Sequence, residues 1–474
     1  MIPDQPTPMN TESKPVESNS VRDWLVMVTI GVGSLLGGID NTVVNIALPT
    51  IRRAFATDVA TAEWTVSIYL LMVCGSLLAF GRIGDLHGQK PVYVWGFATF
   101  VASSALCGVA PSVAMLIFFR AVQGLGTAMI YASGPAILTG TFPPSQRGRV
   151  LGLQVLTVYV GYMVGPMLGG WLTDAFTWRA IFYINVPIGL VALVLGAKFI
   201  PPVKPANQPE RFDFFGAALF LAAFSVLLIA LNQGHAYGWG SPYIAKMFLA
   251  AALLMAVFVL AESRTRSPLL DLSLFRAPVF SLSAASAICL YIAMFSTVFL
   301  VPFYLIQGRG LSSSSAGMLI TIQPVLTMVF SPVAGAISDR VGTRWPATLG
   351  MAVMAVAMYL LSRLGPTSSL VFVAAAIATA GLGIGIFVAP NNSTMMGSAP
   401  KHRQGIASGV MATSRQIGMV LGVGISGAIF TTLTRTHTSA AFFSGIQVSF
   451  LVASAVSCLG CITSGVQRSL TTDH

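Results

Sequence analysis

Residues 81–90 read GRIGDLHGQK, and residues 335–344 read GAISDRVGTR. Gly81, Asp85, Gly88 and Lys90 have counterparts in Gly335, Asp339, Gly342 and Arg344, each 254 positions further along. Other glycines keep an offset of 257: Gly124 with Gly381, Gly126 with Gly383, Gly152 with Gly409, Gly161 with Gly418, Gly165 with Gly422, and Gly170 with Gly427. A shift that stays nearly constant across several elements marks a duplicated half.

What is duplicated follows from the surrounding composition. Of the 474 residues 55% are hydrophobic and 9% are Asp, Glu, Lys or Arg, and the mean hydropathy is +0.79. A soluble protein carries roughly 25% charged residues, so this chain cannot cover a water-facing surface. A soluble multidomain enzyme is thereby excluded. Apolar runs long enough to span a bilayer are read near residues 24–49, 62–82, 92–110, 112–132, 150–173, 180–200, 214–232 and 243–261. Six more follow near 279–305, 316–337, 346–363, 367–390, 405–432 and 443–466. The first repeated decapeptide follows span 2 and its echo follows span 10, so spans 7 and 8 are additional to a duplicated set of six. The expected fold is an all-α integral membrane protein with two six-helix halves and two inserted central helices. Residues 1–22 form a polar tail, 23–200 the first half, 201–278 linkers and the inserted pair, 279–467 the second half, and 468–474 a short end.

The net charge of +11 raises nucleic acid as a partner, but its placement reads as topology. With the tail inside, the outer connections hold seven basic residues, Arg52, Arg53, Arg179, Lys246, Arg309, Arg363 and Arg435, and the inner ones about seventeen. This is a positive-inside bias, placing both termini in the cytoplasm. No G-x-x-x-x-G-K-[ST] loop is present to power a pump with nucleotide. No His lies inside a span, and Cys458 and Cys461 lack companions for a metal site. No cofactor or metal is therefore expected.

At this point the motifs resemble a known family. GRIGDLHGQK is similar to the loop signature between spans 2 and 3 of the major facilitator superfamily. Arg120-Ala-Val-Gln-Gly124 resembles its span 4 signature, and Gly161-Tyr-Met-Val-Gly165-Pro166-Met-Leu-Gly169-Gly170 its antiporter signature in span 5. The stretch from Ile39-Asp40-Asn41 to Pro49, and that from Trp178-Arg179 to Gly189, resemble segments of the fourteen-spanner drug:proton antiporters. The resemblance implies a proton-coupled exporter of amphipathic compounds, energised by the proton gradient, in the cell membrane. Proton-coupled transport of one metabolite, or a transport-inactive sensor, is the alternative. Dicationic-drug exporters of this branch often carry acids in spans 10 and 13, where this chain has Gln323 and Arg415-Gln416. That departure favours monocationic, zwitterionic or neutral substrates. The short connection Thr434–Ala441 offers little surface for a periplasmic adaptor, so a stand-alone monomer is expected.

The residues themselves suggest how coupling would work. Asp40 lies in span 1, about 12 Å from its far end at about 1.5 Å of rise per residue. A charge at membrane depth costs about 2.5–3.5 kcal/mol, so it must be paired, protonated or open to water. Arg120 lies at a similar depth in span 4 and is the natural partner, unless it only packs against polar neighbours and carbonyls. The duplication places Ala293 and Ile377 opposite these two, which confines the pair to the first half. Asp40, Arg120 and Arg415 are then the charges expected at membrane depth. Gly81, Asp85, Gly88 and Lys90, with Asp339 and Arg340, are expected to gate the cytoplasmic side, or merely to shape a turn. Gly161, Gly165 and Gly169 recur every fourth residue and let another helix approach, while Pro166 bends the axis. Asn41, Asn45, Gln123, Gln323 and Arg415 are candidates to line a cavity, with helix-to-helix hydrogen bonding the competing reading.

Overall fold

A computed structural model describes residues 20–143, 146–202, 213–265, 272–399, 404–436 and 438–466. Among these, 14 helices are long and apolar enough to cross a membrane. Spans 1 to 6 are Val21–Ala54, Val59–His87, Gln89–Val109, Val113–Thr141, Arg149–Ala175 and Ala180–Phe199. Spans 7 and 8 are Phe214–Tyr237 and Pro242–Arg264. Spans 9 to 14 are Pro278–Gly308, Ser313–Val341, Arg344–Leu361, Leu370–Ser398, Ile406–Leu433 and Ser439–Val466. Span 1 begins and span 14 ends on one face, here the terminal face; the other is the opposite face.

Short polar residues start many of these helices by capping free backbone N–H groups. Asp58 accepts from the Thr61 amide at 2.6 Å, Ser112 from Met115 at 3.3 Å, Ser312 from Ser315 at 3.2 Å and Ser369 from Phe372 at 3.2 Å. Glycines end two of them: Gly88 (φ 97°) and Gly342 (φ 84°) adopt a backbone geometry that a Cβ disfavours. This corrects the expectation of a loop over 81–90, because Gly81 to His87 continue span 2 as helix and Gly88 alone breaks it. Spans 4, 10 and 12 likewise run past their expected ends. The polar tail of 1–22 also shortens, since helix begins at Ser20; residues 1–19 and 467–474 lie outside the described set.

The duplication is visible in how the helices meet. A Cβ on Gly96 would reach Met129 at 2.7 Å and one on Gly350 would reach the Phe387 amide at 2.7 Å, fixing spans 3–4 and 11–12 in the same close packing. Gly124 sits against the Tyr69 carbonyl as Gly381 sits against that of Gln323, pairing spans 2–4 and 10–12. Gly161 lies on span 1 beside Gly38, and Gly418 lies on span 9 beside Ile288 and Tyr291. Across the halves, Gly170 of span 5 abuts Ser313 of span 10, while its echo Gly427 of span 13 abuts Glu63 of span 2. The inserted span 7 fits beside this seam: Leu221 fills the groove at Gly75 of span 2, Leu228 that at Gly424 of span 13, and Asn232 donates to the Ala60 carbonyl at 2.9 Å.

The seam is closed on one face only. On the opposite face Asp174 accepts from the amides of Ser313 (3.2 Å) and Ser314 (2.7 Å), and Thr321 donates to the Met163 carbonyl at 3.3 Å. Toward the terminal face, Gly152 and Gly409, on the same two spans, have nothing within 4 Å of where a Cβ would stand. Spans 5 and 13 therefore clamp the other half at one end and stand free at the other. The seam is open toward the terminal face at Gly152 and Gly409.

Candidate functional site

Span 1 carries two different chemistries on two faces. Successive helical residues turn by about 100°, so Thr42, Asn45 and Ile46 point away from Asp40. Asp40, 0% exposed, faces spans 3, 4 and 6. Arg120, 1% exposed, donates to its Oδ2 at 2.6 Å. Gln123 and Asn185 donate to Oδ1, each at 3.1 Å, and both also reach Ser104 Oγ at 3.2 Å. Arg120 spends its remaining valence on Gln123 Oε1 (2.7 Å), the Thr65 carbonyl (2.9 Å) and the face of Tyr69, 3.9 Å from the ring centroid. A buried ion pair holds only when its other lone pairs and protons find partners, and here they do. The second half has no such network at the equivalent place: Ala293 and Ile377 are buried there.

This geometry corrects the reading of Gln123 as a cavity residue. It is fully buried inside the ion-pair network, because it lies one turn from Arg120 on the same face of span 4. Asn185 belongs to that network and was read only as part of a motif. Glu63 is a second acid missed at depth. It is 2% exposed, accepts from Ser67 at 3.3 Å, and keeps Oε2 without a hydrogen-bond partner. Its place near the start of span 2 reads as a membrane edge in sequence, whereas span 13 covers it. Glu262 in span 8 is also buried.

The other face of span 1 lines a narrow cavity between the halves. Thr42, Asn45 and Ile46 meet Tyr159, Tyr162 and Pro166 of span 5, Met294, Val298 and Pro302 of span 9, and Ile320, Gln323, Pro324 and Thr327 of span 10. Asn45 Oδ1 and Gln323 Nε2 are buried there without partners. Asn41 instead approaches Tyr131, donating to its hydroxyl at 3.4 Å. Arg415 of span 13 lies within electrostatic reach of Tyr131, Tyr159, Tyr162 and Tyr291. The span 5 signature brings span 5 into close contact with span 1. Gly161, Gly165 and Gly169 press span 5 onto Leu35–Ile46, Pro166 reaches the cavity, and Gly170 touches the other half.

The proposed gate residues stand apart. Asp85 accepts from Gln89 at 2.8 Å within its own segment, and Asp339 and Arg340 are exposed. Among the described residues Asp85, Lys90, Asp339 and Arg340 make no ion pair.

Comparison with known proteins follows the same lines. The family profile described as Major Facilitator Superfamily matches residues 30–423 and 283–467. The chain is 31% identical over 445 residues to the riboflavin transporter RibZ of Clostridioides difficile, covering 93% of this chain and 96% of that one. It is 30% identical over 422 residues to a tetracenomycin C resistance and export protein of Streptomyces glaucescens, covering 89% and 78%. A crystal structure of a POT family transporter in complex with a thioalcohol-conjugated peptide superposes with a TM-score of 0.67 at 13% identity, covering 91% of this chain and 94% of that one. At that identity the likeness concerns the fold alone.

Proposed function

Because the chain belongs to the Major Facilitator Superfamily, we propose that it is a proton-coupled antiporter that exports amphipathic drug-like compounds by alternating access. The observation that carries this reading is the two-faced span 1, with Asp40 locked to Arg120 on one side and Asn45 in the cavity wall on the other. Positive-inside charge placement supports a cytoplasmic terminal face in the cell membrane, so the open end of the seam faces the substrate's source. The export relative supports the direction of transport.

In this cycle the ion-paired state ties span 1 to spans 3, 4 and 6 while the cavity faces the cytoplasm. Substrate enters and lies against Thr42, Asn45 and the span 5 tyrosines. A proton reaching Asp40 from the opposite side removes the charge that Arg120 pairs with, and it leaves to the cytoplasm when the ion pair re-forms on the return. Arg120 keeps Gln123, the Thr65 carbonyl and the Tyr69 face, so its cation remains held while span 1 is released. Movement of span 1 then reshapes the cavity wall, because both surfaces belong to one rigid helix. A ligand shifts such an equilibrium only by its different affinity for the two states, and the proton at Asp40 supplies that difference. The protein works as a monomer in this scheme, since both faces of the seam lie within one chain.

A second reading, proton-coupled transport of a single metabolite, draws support from the riboflavin-transporting relative. Competition separates the two in proteoliposomes holding the purified protein. Mutual inhibition by unrelated amphiphiles is expected for the exporter, whereas uptake that only one compound and its close analogues inhibit would favour the metabolite carrier.

A further inference from the structure

The polar groups around the cavity are unequal in sign. Arg415 of span 13 lies within electrostatic reach of Tyr131 on span 4, Tyr159 and Tyr162 on span 5, and Tyr291 on span 9. Tyr159 and Tyr162 form part of the cavity wall. The guanidinium Nε is buried without a hydrogen-bond partner, and among the described residues no carboxylate pairs with Arg415. Gln323 Nε2, in the same wall, is a second donor left unpaired.

Among the described residues no acid answers this cation. Asp40 is committed to Arg120 on the far side of span 1, and Glu63 lies under Gly427 beside the opposite face. Buried donors without acceptors are costly, and a charged donor is the costliest. A cationic substrate would meet an uncompensated positive charge here. A planar acid meets a fork of N–H donors, tyrosine hydroxyls, and aromatic faces for its ring system.

We propose that the cavity binds aromatic amphiphiles carrying an acidic oxygen, a carboxylate, phenolate or enolate, with Arg415 as the anion anchor and Tyr159, Tyr162 and Gln323 completing the site. This rests on the exporter reading for the identity of the cavity, and it departs from the monocationic, zwitterionic or neutral substrates that the sequence favours. The anchor belongs to the second half and Tyr159 and Tyr162 to the first, so the bound anion bridges the seam that must move.

The test uses the full chain, purified, with two dyes built on one xanthene ring: anionic fluorescein and cationic rhodamine 6G. Binding is read by fluorescence anisotropy, and a melting curve of each variant checks folding. The wild type is expected to bind fluorescein about tenfold or more tighter than rhodamine 6G, the scale of one charge-assisted contact. Arg415→Gln should abolish that preference, Arg415→Lys should restore part of it, and Tyr162→Phe should weaken the anion alone while keeping the ring. Should Arg415→Gln fail to fold, the wild-type preference and Tyr162→Phe decide. The assignment is overturned if fluorescein binds no tighter than rhodamine 6G, including the case where neither binds, or if folded Arg415→Gln keeps the preference. A separate assay of pH-driven transport distinguishes the two readings. Anion preference without proton-driven movement would leave this site standing and remove the antiporter; proton-driven movement of the cation independent of Arg415 would do the reverse.

Discussion

Asp40 and Arg120 show what a buried ion pair needs in order to persist and still be breakable. Each is held by neutral partners besides the other, so losing one charge does not strip the survivor of all contacts. The pair nonetheless supplies the charge balance. Removing one member of a buried pair costs about 3–5 kcal/mol in proteins generally. Arg120→Ala, which leaves the Asp40 carboxylate facing only amide donors, should lower thermal stability in detergent on that scale. The double variant Asp40→Asn with Arg120→Gln should recover most of the loss, because the amides can reproduce the hydrogen bonds without a net charge. Equal destabilisation of the double variant would mean that packing, not charge, sets the cost. The pair could be anticipated in sequence, since two charges at similar depth within apolar runs have few other options. Glu63 and the four tyrosines around Arg415 could not. Glu63 reads as a helix-end acid until span 13 is seen to cover it, and the tyrosines come from three spans with no shared local pattern.

Spans 5 and 13 are the elements that close the seam, and their glycines divide by position. A Cβ on Gly317 of span 10 would fall on the Pro166 carbonyl, which is backbone and cannot swing aside. Gly317→Val should therefore wedge spans 5 and 10 apart on the opposite face. The expected outcome is faster thiol labelling of a Ser314→Cys reporter when Gly317→Val is added, and unchanged labelling would show that the contact yields elsewhere. Gly152, in the open half of span 5, has nothing within 4 Å of its Cβ position. Gly152→Ala should leave this face undisturbed and add up to about 1 kcal/mol from helix propensity. A loss of stability would contradict the open terminal face. The glycine echoes that make this division legible are the same ones the sequence displays, because close helix contact forces small residues at fixed spacing. The ends of spans 2, 4, 10 and 12 were hidden for a related reason. Hydropathy reports where a bilayer stops, whereas helix continues until a breaker such as Gly88 or Gly342 intervenes.

At the scale of the whole molecule, the two halves share one packing plan but not one chemistry. The first carries the ion pair, the second carries Arg415, and the cavity lies where they meet. In the proposed cycle the proton acts on one half and the substrate on both, so that each event biases the same rearrangement. The central claim is that Asp40 couples proton movement to transport. The most direct measurement follows a fluorescent amphiphile in proteoliposomes holding the wild type or Asp40→Asn, with and without an imposed pH gradient. The account predicts that the gradient drives accumulation by the wild type, while Asp40→Asn only equilibrates the dye or stops moving it. Gradient-driven accumulation by Asp40→Asn at the wild-type level would contradict it.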